Sequence, residues 1–152
     1  MTQPIEQVLI EAEGRYLQPP ELAQLKSYVT GWTERLHVYR ALRDQEEVLV
    51  KQVLAQLQQE MMPLPPQVVG LCQRDLMLIL RHSSLAMLLQ NEAMLKERLV
   101  DWMEEHVRLY NLQSLYEKAF RSLQQSLKQQ LSAGELELIR PYVTQAQVAL
   151  LC

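Results

Sequence analysis

The stretch Cys72-Gln73-Arg74-Asp75-Leu76-Met77-Leu78-Ile79-Leu80-Arg81 carries one thiol, one carboxylate and two guanidinium groups within three helical turns. Cys72 and Asp75 stand at i and i+3, so a helix brings them to one face. Arg74 and Arg81 stand at i and i+7 and share another face. A thiol can form a thioether. A buried carboxylate accepts hydrogen bonds from an N–H-rich ligand, and a guanidinium holds a carboxylate bidentately. Together these groups suit an elongated, acid-bearing ligand with internal N–H groups. The competing interpretation is plain: a cysteine on an apolar helix usually serves as a small core residue. The helical angle also matters. At about 100° per residue, Arg74 lies roughly 200° around from Cys72, so both reach one ligand only if the ligand wraps the helix or the arginine folds back.

The elements that must position these groups read as helices throughout. Glycine is scarce at four residues, and Leu, Gln, Glu and Ala abound, which favours helix. Residues 4–12 place Ile5, Val8, Leu9 and Ala12 at helical spacing, and Gly14 ends that segment. Pro19 and Pro20 suit the start of the next helix. From Glu21 to Met61 the pattern is almost unbroken, and its length predicts one break near Ala41 to Asp44. Tyr28, Trp32 and Tyr39 read as a core stripe. Met61 to Pro66 is a loop. The next helix starts near Val68, carries the ten residues and ends at Leu89, with Gln90-Asn91 as an interruption. Met94 to Leu109 is amphipathic, with Leu95, Leu99, Trp102 and Val107 on its apolar face. Leu115 to Leu131 follows, and Ser132 with Glu135 forms a capping box for a last helix kinked at Pro141. No segment alternates with period two.

Composition sets the remaining bounds. The 152 residues make one domain with a real core and too little chain for two. A net charge of −3 argues against nucleic acid as the main partner. No apolar run is long enough to span a membrane, and residues 1–10 lack the charge pattern of a signal peptide. Two cysteines do not make a disulfide framework, which suggests a reduced, cytoplasmic setting; Cys152 has no expected role. His37, His82 and His106 are dispersed and no CxxC occurs, so no metal site is expected. There is no Gly-rich phosphate loop and no catalytic constellation, and an enzyme is not expected. The seven methionines read as core filling.

The Cys-x-Arg-Asp stretch, with four mostly apolar residues and Leu80-Arg81, resembles the bilin-attachment helix of phycobiliproteins, the allophycocyanin and phycocyanin subunits. The resemblance continues in order along the chain. Gly14-Arg15-Tyr16-Leu17 resembles the family's Gly-Arg-aromatic-Leu turn. Ala41-Leu42, Leu95 to Glu104, and Ser132 to Tyr142 resemble later segments. The resemblance implies an all-α, globin-like phycobilisome fold with two extra N-terminal helices: residues 1–19 as an extension that pairs subunits, residues 20–152 as the globin-like core. It implies a phycocyanobilin-like linear tetrapyrrole, attached covalently at Cys72 or bound without a covalent bond. Arg74 and Arg81 would hold its propionates, Asp75 would accept from its pyrrole N–H groups, and Tyr116 would line the pocket. It further implies a homodimer, or a heterodimer with a phycobiliprotein-like subunit, with an exposed stripe of Ile5, Val8 and Leu9 as the pairing face. Partners from the bilin pathway and association with the thylakoid surface also follow from it.

The departures bear on role. Met77, Leu78 and Ile79 stand where the family has paired tyrosines, Gln90-Asn91 replaces a Gly-Asp, and the region before Cys72 is short and proline-rich. Glu135 stands near the place of a second attachment cysteine found in some beta subunits. These changes favour an accessory role in bilin biosynthesis, bilin handling or phycobilisome assembly. Two alternatives stay open: a minor light-harvesting core subunit, and a pigment-free interaction module.

Overall fold

The computed structural model describes residues 3–61 and 63–151. The expectation for Cys152 and part of those for the first residues and the Met61–Pro66 loop lie outside them. Among the described residues every regular element is helical.

Helix α1 spans Ile5–Glu11. It ends before Gly14, whose φ of +82° is a left-handed conformation that costs a residue without Cβ little. Helix α2 spans Pro19–Thr30 and opens on two prolines. Its first turn is fixed by Glu21, which accepts from the Gln18 N–H at 2.7 Å and from both Arg15 amino groups at 2.8 and 2.9 Å. Those donors hold the Glu21 carboxyl down to about 2.

The expected pairing stripe is corrected here. Val8 is buried with Ala12, and Ile5 is half-buried. The exposed apolar residues of this region are Leu9, Ile10, Tyr16, Leu22 and Val29. α1 lays Val8 inward because α2 packs against it.

Helix α3 runs uninterrupted over Trp32–Glu60. The break falls at Gly31, not at Ala41 to Asp44. Val38, Leu42, Leu49, Val53 and Leu57 make one buried stripe through that region, so the core holds the helix continuous. At Gly31 a Cβ would lie 2.6 Å from Arg35 Nη1. Arg35 is buried; its Nε donates to the Leu88 carbonyl at 3.1 Å and its Nη2 to the Tyr28 carbonyl at 2.7 Å. Its guanidinium sits 4.8 Å from the Tyr28 ring centre and 5.9 Å from that of Trp32. The aromatic stripe is core only in part: Tyr28, Trp32 and Tyr39 are half-buried, Tyr39 packs against the core, and Tyr28 and Trp32 lie beside the Arg35 cation.

Helix α4 spans Pro66–Leu89, one turn's fraction earlier than the apolar pattern suggests, because Pro66 fits a helix's first positions. It ends at Gln90 in the left-handed region, φ 49°. Asn91 then caps the next helix by accepting from the Met94 N–H at 3.2 Å. That helix begins as α5, Glu92–Leu95, passes through a π-helical turn, Lys96–Val100, and continues as α6, Asp101–Leu109. Helix α7 spans Gln113–Gln130 and α8 spans Ala133–Leu151. The Ser132–Glu135 capping box forms, with reciprocal bonds of 2.9 and 3.2 Å. α8 continues through Pro141.

The core lies where α3 crosses α4 and α7 and where α8 covers α4 and α7. Leu49, Leu76, Ile79, Phe120, Leu123 and Ile139 are all buried there. Each such side chain contributes about 1.5–3 kcal/mol, so this crossing, rather than intrinsic helix propensity, fixes the frame.

Candidate functional site: a buried acid joined to three helices

Asp75 leaves α4 toward the junction of α6 and α7 and is 1% exposed. Its Oδ2 accepts from the Tyr116 hydroxyl of α7 and from His106 Nε2 of α6, the latter at 2.8 Å. Its Oδ1 faces the Arg74 guanidinium at 3.3 and 3.4 Å. A carboxylate stripped of water costs several kcal/mol unless its lone pairs are engaged, and here donors from three helices engage them. The Tyr116 hydroxyl is held protonated far above its ordinary range, by burial first and by the bond to Asp75 second.

Cys72 stands one turn before Asp75 and is also 1% exposed. Burial, with the neighbouring carboxylate adding to it, pushes the thiol up to about 12. As packed, it is a poor nucleophile.

Arg74 reaches the Asp75 carboxylate and α6 rather than Cys72 itself. It is half exposed, and its guanidinium lies 4.9 Å from the centre of the Trp102 ring on α6. Trp102 meets His106 edge-on at 5.3 Å between ring centres. Trp102, expected on the apolar face of its helix, is half exposed and covers the arginine instead.

The structure thus brings Cys72, Asp75, Tyr116 and, at the rim, Arg74 together. It does not bring Arg81. Seven residues further on, about 10 Å along the axis at 1.5 Å per residue, Arg81 turns to α3 and pairs with Glu46 at 2.7 and 3.1 Å. Their common helical face did not give the two arginines a common partner, because Arg74 bends toward α6 and Arg81 toward α3.

Two residues of the cluster were not singled out by sequence, His106 and Trp102. Their i and i+4 spacing puts them on one face, which was the available signal. The π-helical turn matters to that face. It adds one residue to the turn, and Leu99 and Val100, neighbours in sequence, are both buried there.

As chemistry, the donor set fits a linear tetrapyrrole: a thiol for a thioether, an acid for pyrrole N–H groups and a guanidinium for a propionate. The space does not fit. The void beside Cys72, Asp75, Leu76 and Tyr116 is about 170 Å³, and no part of it is wide enough for a water molecule. Small-molecule sites commonly enclose about 300–1,000 Å³. Among the described residues, no cluster of His, Cys, Asp and Glu is arranged to hold a metal ion, and no helix is long and apolar enough to cross a membrane.

The all-helical, globin-like frame is that of the phycobilisome proteins. Residues 8–150 match the Phycobilisome protein family, and the chain belongs to it. Over 50 residues it is 50% identical to allophycocyanin subunit alpha 1 of Nostoc sp., a stretch covering 33% of this chain and 31% of that one. It is 44% identical over 50 residues to the allophycocyanin alpha chains of Anabaena cylindrica and Galdieria sulphuraria, again 33% of this chain and 31% of each relative. The chain therefore matches about a third of the length of these relatives.

Proposed function

We propose that this chain is a divergent phycobilisome protein that takes a linear tetrapyrrole at Cys72 and Asp75 and serves bilin handling or phycobilisome assembly rather than bulk light harvesting. One observation carries this reading: a buried acid on the central helix, one turn from a buried thiol, in a chain matched to the family over residues 8–150. Packing alone does not call for a carboxylate there, since apolar residues of like volume often serve a core as well. An acid held at that depth by donors from three helices supports a role as acceptor for ligand N–H groups. Cys72 would supply the thioether, Arg74 would face a propionate, and Tyr116 would orient the acid. The exposed Leu9, Ile10, Leu22 and Val29 support pairing with a second phycobiliprotein-like subunit, with assembly at the thylakoid surface.

A second reading, a pigment-free interaction module, is favoured by the lack of space beside Cys72. Expression of the full chain together with enzymes that make a bilin separates the two. Colour with zinc-enhanced fluorescence on a denaturing gel, lost in Cys72→Ala, supports covalent binding. Colour lost on denaturation supports non-covalent binding. A colourless protein overturns the pigment reading and leaves the module. Asp75→Asn is expected to shift or quench the absorbance of the bound pigment.

A further inference from the structure

Arg35 is the only buried cation among the described residues, at 3% exposed, and no acid stands beside it. Every ion pair among the described residues lies elsewhere. Its Nε and Nη2 are engaged by the Leu88 and Tyr28 carbonyls, which carry no net charge. A buried charge is ordinarily matched by an opposite one. We infer that Arg35 is the floor of a binding site for a carboxylate on a short aliphatic stem, in the cleft between α2, the start of α3 and α8. The site shares no residue with the Cys72–Asp75 cluster and does not rest on the function proposed above.

The cleft is open to solvent and measures about 520 Å³. Of the residues that line it only Arg35 is buried, so the guanidinium lies at the bottom. Its Nη1 donates to no protein atom among the described residues. Nη1 stands 2.6 Å from the point that a Gly31 Cβ would occupy, and Gly31 lines the same cleft. The missing side chain therefore leaves that amino group uncovered. With Nε and Nη2 engaged, the guanidinium cannot present its two-pronged edge, and Nη1 offers one oxygen a single charge-assisted bond. Lys26 and Ser27, on the α2 wall, supply an ammonium and a hydroxyl for the second oxygen. Charge selects the ligand further. Lys26 and Arg35 line the cleft with Glu34, an excess of one positive charge, which one carboxylate balances and a phosphate dianion overshoots. Ala23 and Leu138 give the stem an apolar wall. A free short-chain acid and a glutamate side chain of a second copy of this chain carry the same group.

The test uses the full chain carrying Trp102→Phe, which leaves Trp32 as its only tryptophan. The Trp32 ring centre lies 5.9 Å from the Arg35 guanidinium, so its emission reports on the site. Sodium butyrate is titrated in place of sodium chloride at constant ionic strength. The expected result is a saturable change in emission, half complete in about the millimolar range. Lys26→Gln, an exposed substitution, is expected to weaken the response about 2- to 5-fold. Arg35→Lys keeps the charge, loses Nη1 and should weaken it about 10-fold or more; if that variant does not fold, the shift in Lys26→Gln is still read. Light scattering separates the two sources. A side chain from a second copy gives association at micromolar concentration that butyrate dissolves, whereas a free acid leaves the mass unchanged. Emission and mass that respond to butyrate no more than to chloride overturn the site, and so does a butyrate response that Lys26→Gln leaves unmoved. A stronger response to phosphate than to butyrate overturns the choice of a carboxylate.

Discussion

His106 Nε2 donates to Asp75 Oδ2 at 2.8 Å, across 31 residues of chain, and so joins α6 to the central helix. Because the same oxygen also accepts from Tyr116, one carboxylate oxygen ties three helices together.

Removing the acid should therefore hurt more than removing an exposed one. Asp75→Ala strands the Tyr116 hydroxyl and the His106 ring beside a void. The expected loss is about 3–5 kcal/mol, read as a lower urea midpoint. Asp75→Leu, which fills the space, should recover part of it. Equal stability of Asp75→Ala and the parent would show that the acid's partners gain nothing from it.

Tyr116→Phe keeps the ring and removes one donor to Asp75. The expected cost is about 1.5–3 kcal/mol, the range for a hydrogen bond to a charged partner. In a chain of this size that lowers the midpoint of thermal unfolding by roughly 3–12 °C, at 2–4 °C for each kcal/mol.

Alkaline pH should destabilise the fold through two groups. In an unfolded chain a thiol gives up its proton near pH 8.5 and a tyrosine near pH 10. The fold holds the Cys72 proton to about 12 and the Tyr116 proton higher than its ordinary range. Above about pH 9 the unfolded state binds fewer protons than the native one, so stability falls as pH rises. Urea midpoints at pH 7, 9 and 10.5 check this, and Cys72→Ala should flatten the first part of the decline. Alkylation of native Cys72 should still be climbing at pH 10, where an ordinary thiol has levelled off.

Gly31→Ala is expected to destabilise although it replaces glycine with a better helix former. The new Cβ would stand 2.6 Å from Arg35 Nη1, and Arg35 is pinned by two carbonyls and two rings. Crowding of this kind costs about 1–3 kcal/mol, more than the 0.4–1 kcal/mol gained from a stiffer unfolded chain. Gly31→Ala combined with Arg35→Met should cost less than the sum of the two, the mark of a shared contact.

Leu9→Glu with Ile10→Glu removes exposed apolar residues of α1 and leaves the buried Val8 in place. If this face pairs subunits, light scattering at micromolar concentration should show a multimer for the parent and a monomer for the double variant, with helix content unchanged. A monomeric parent would count against pairing.

The sequence alone determined the all-helical frame, because apolar residues recur at helical spacing almost throughout and two proline pairs and few glycines punctuate them. It also determined that Cys72 and Asp75 share a face, since i and i+3 neighbours depend only on the helix itself, and Tyr116 was legible through the family resemblance. Tertiary structure decided the rest. No local rule foretold that His106 would reach Asp75, that Arg74 and Arg81 would part company, or that the long helix would break at Gly31 rather than beside Leu42. Those outcomes depend on which helix crosses α4 at each level, and crossing is set by burial summed over the whole core. Tertiary packing also closed the space at the thiol, because Leu76 and Ile79 of α4 and Ala119 and Phe120 of α7 fill the gap between the two helices, and the pattern along one helix does not tell which side chains its neighbour brings.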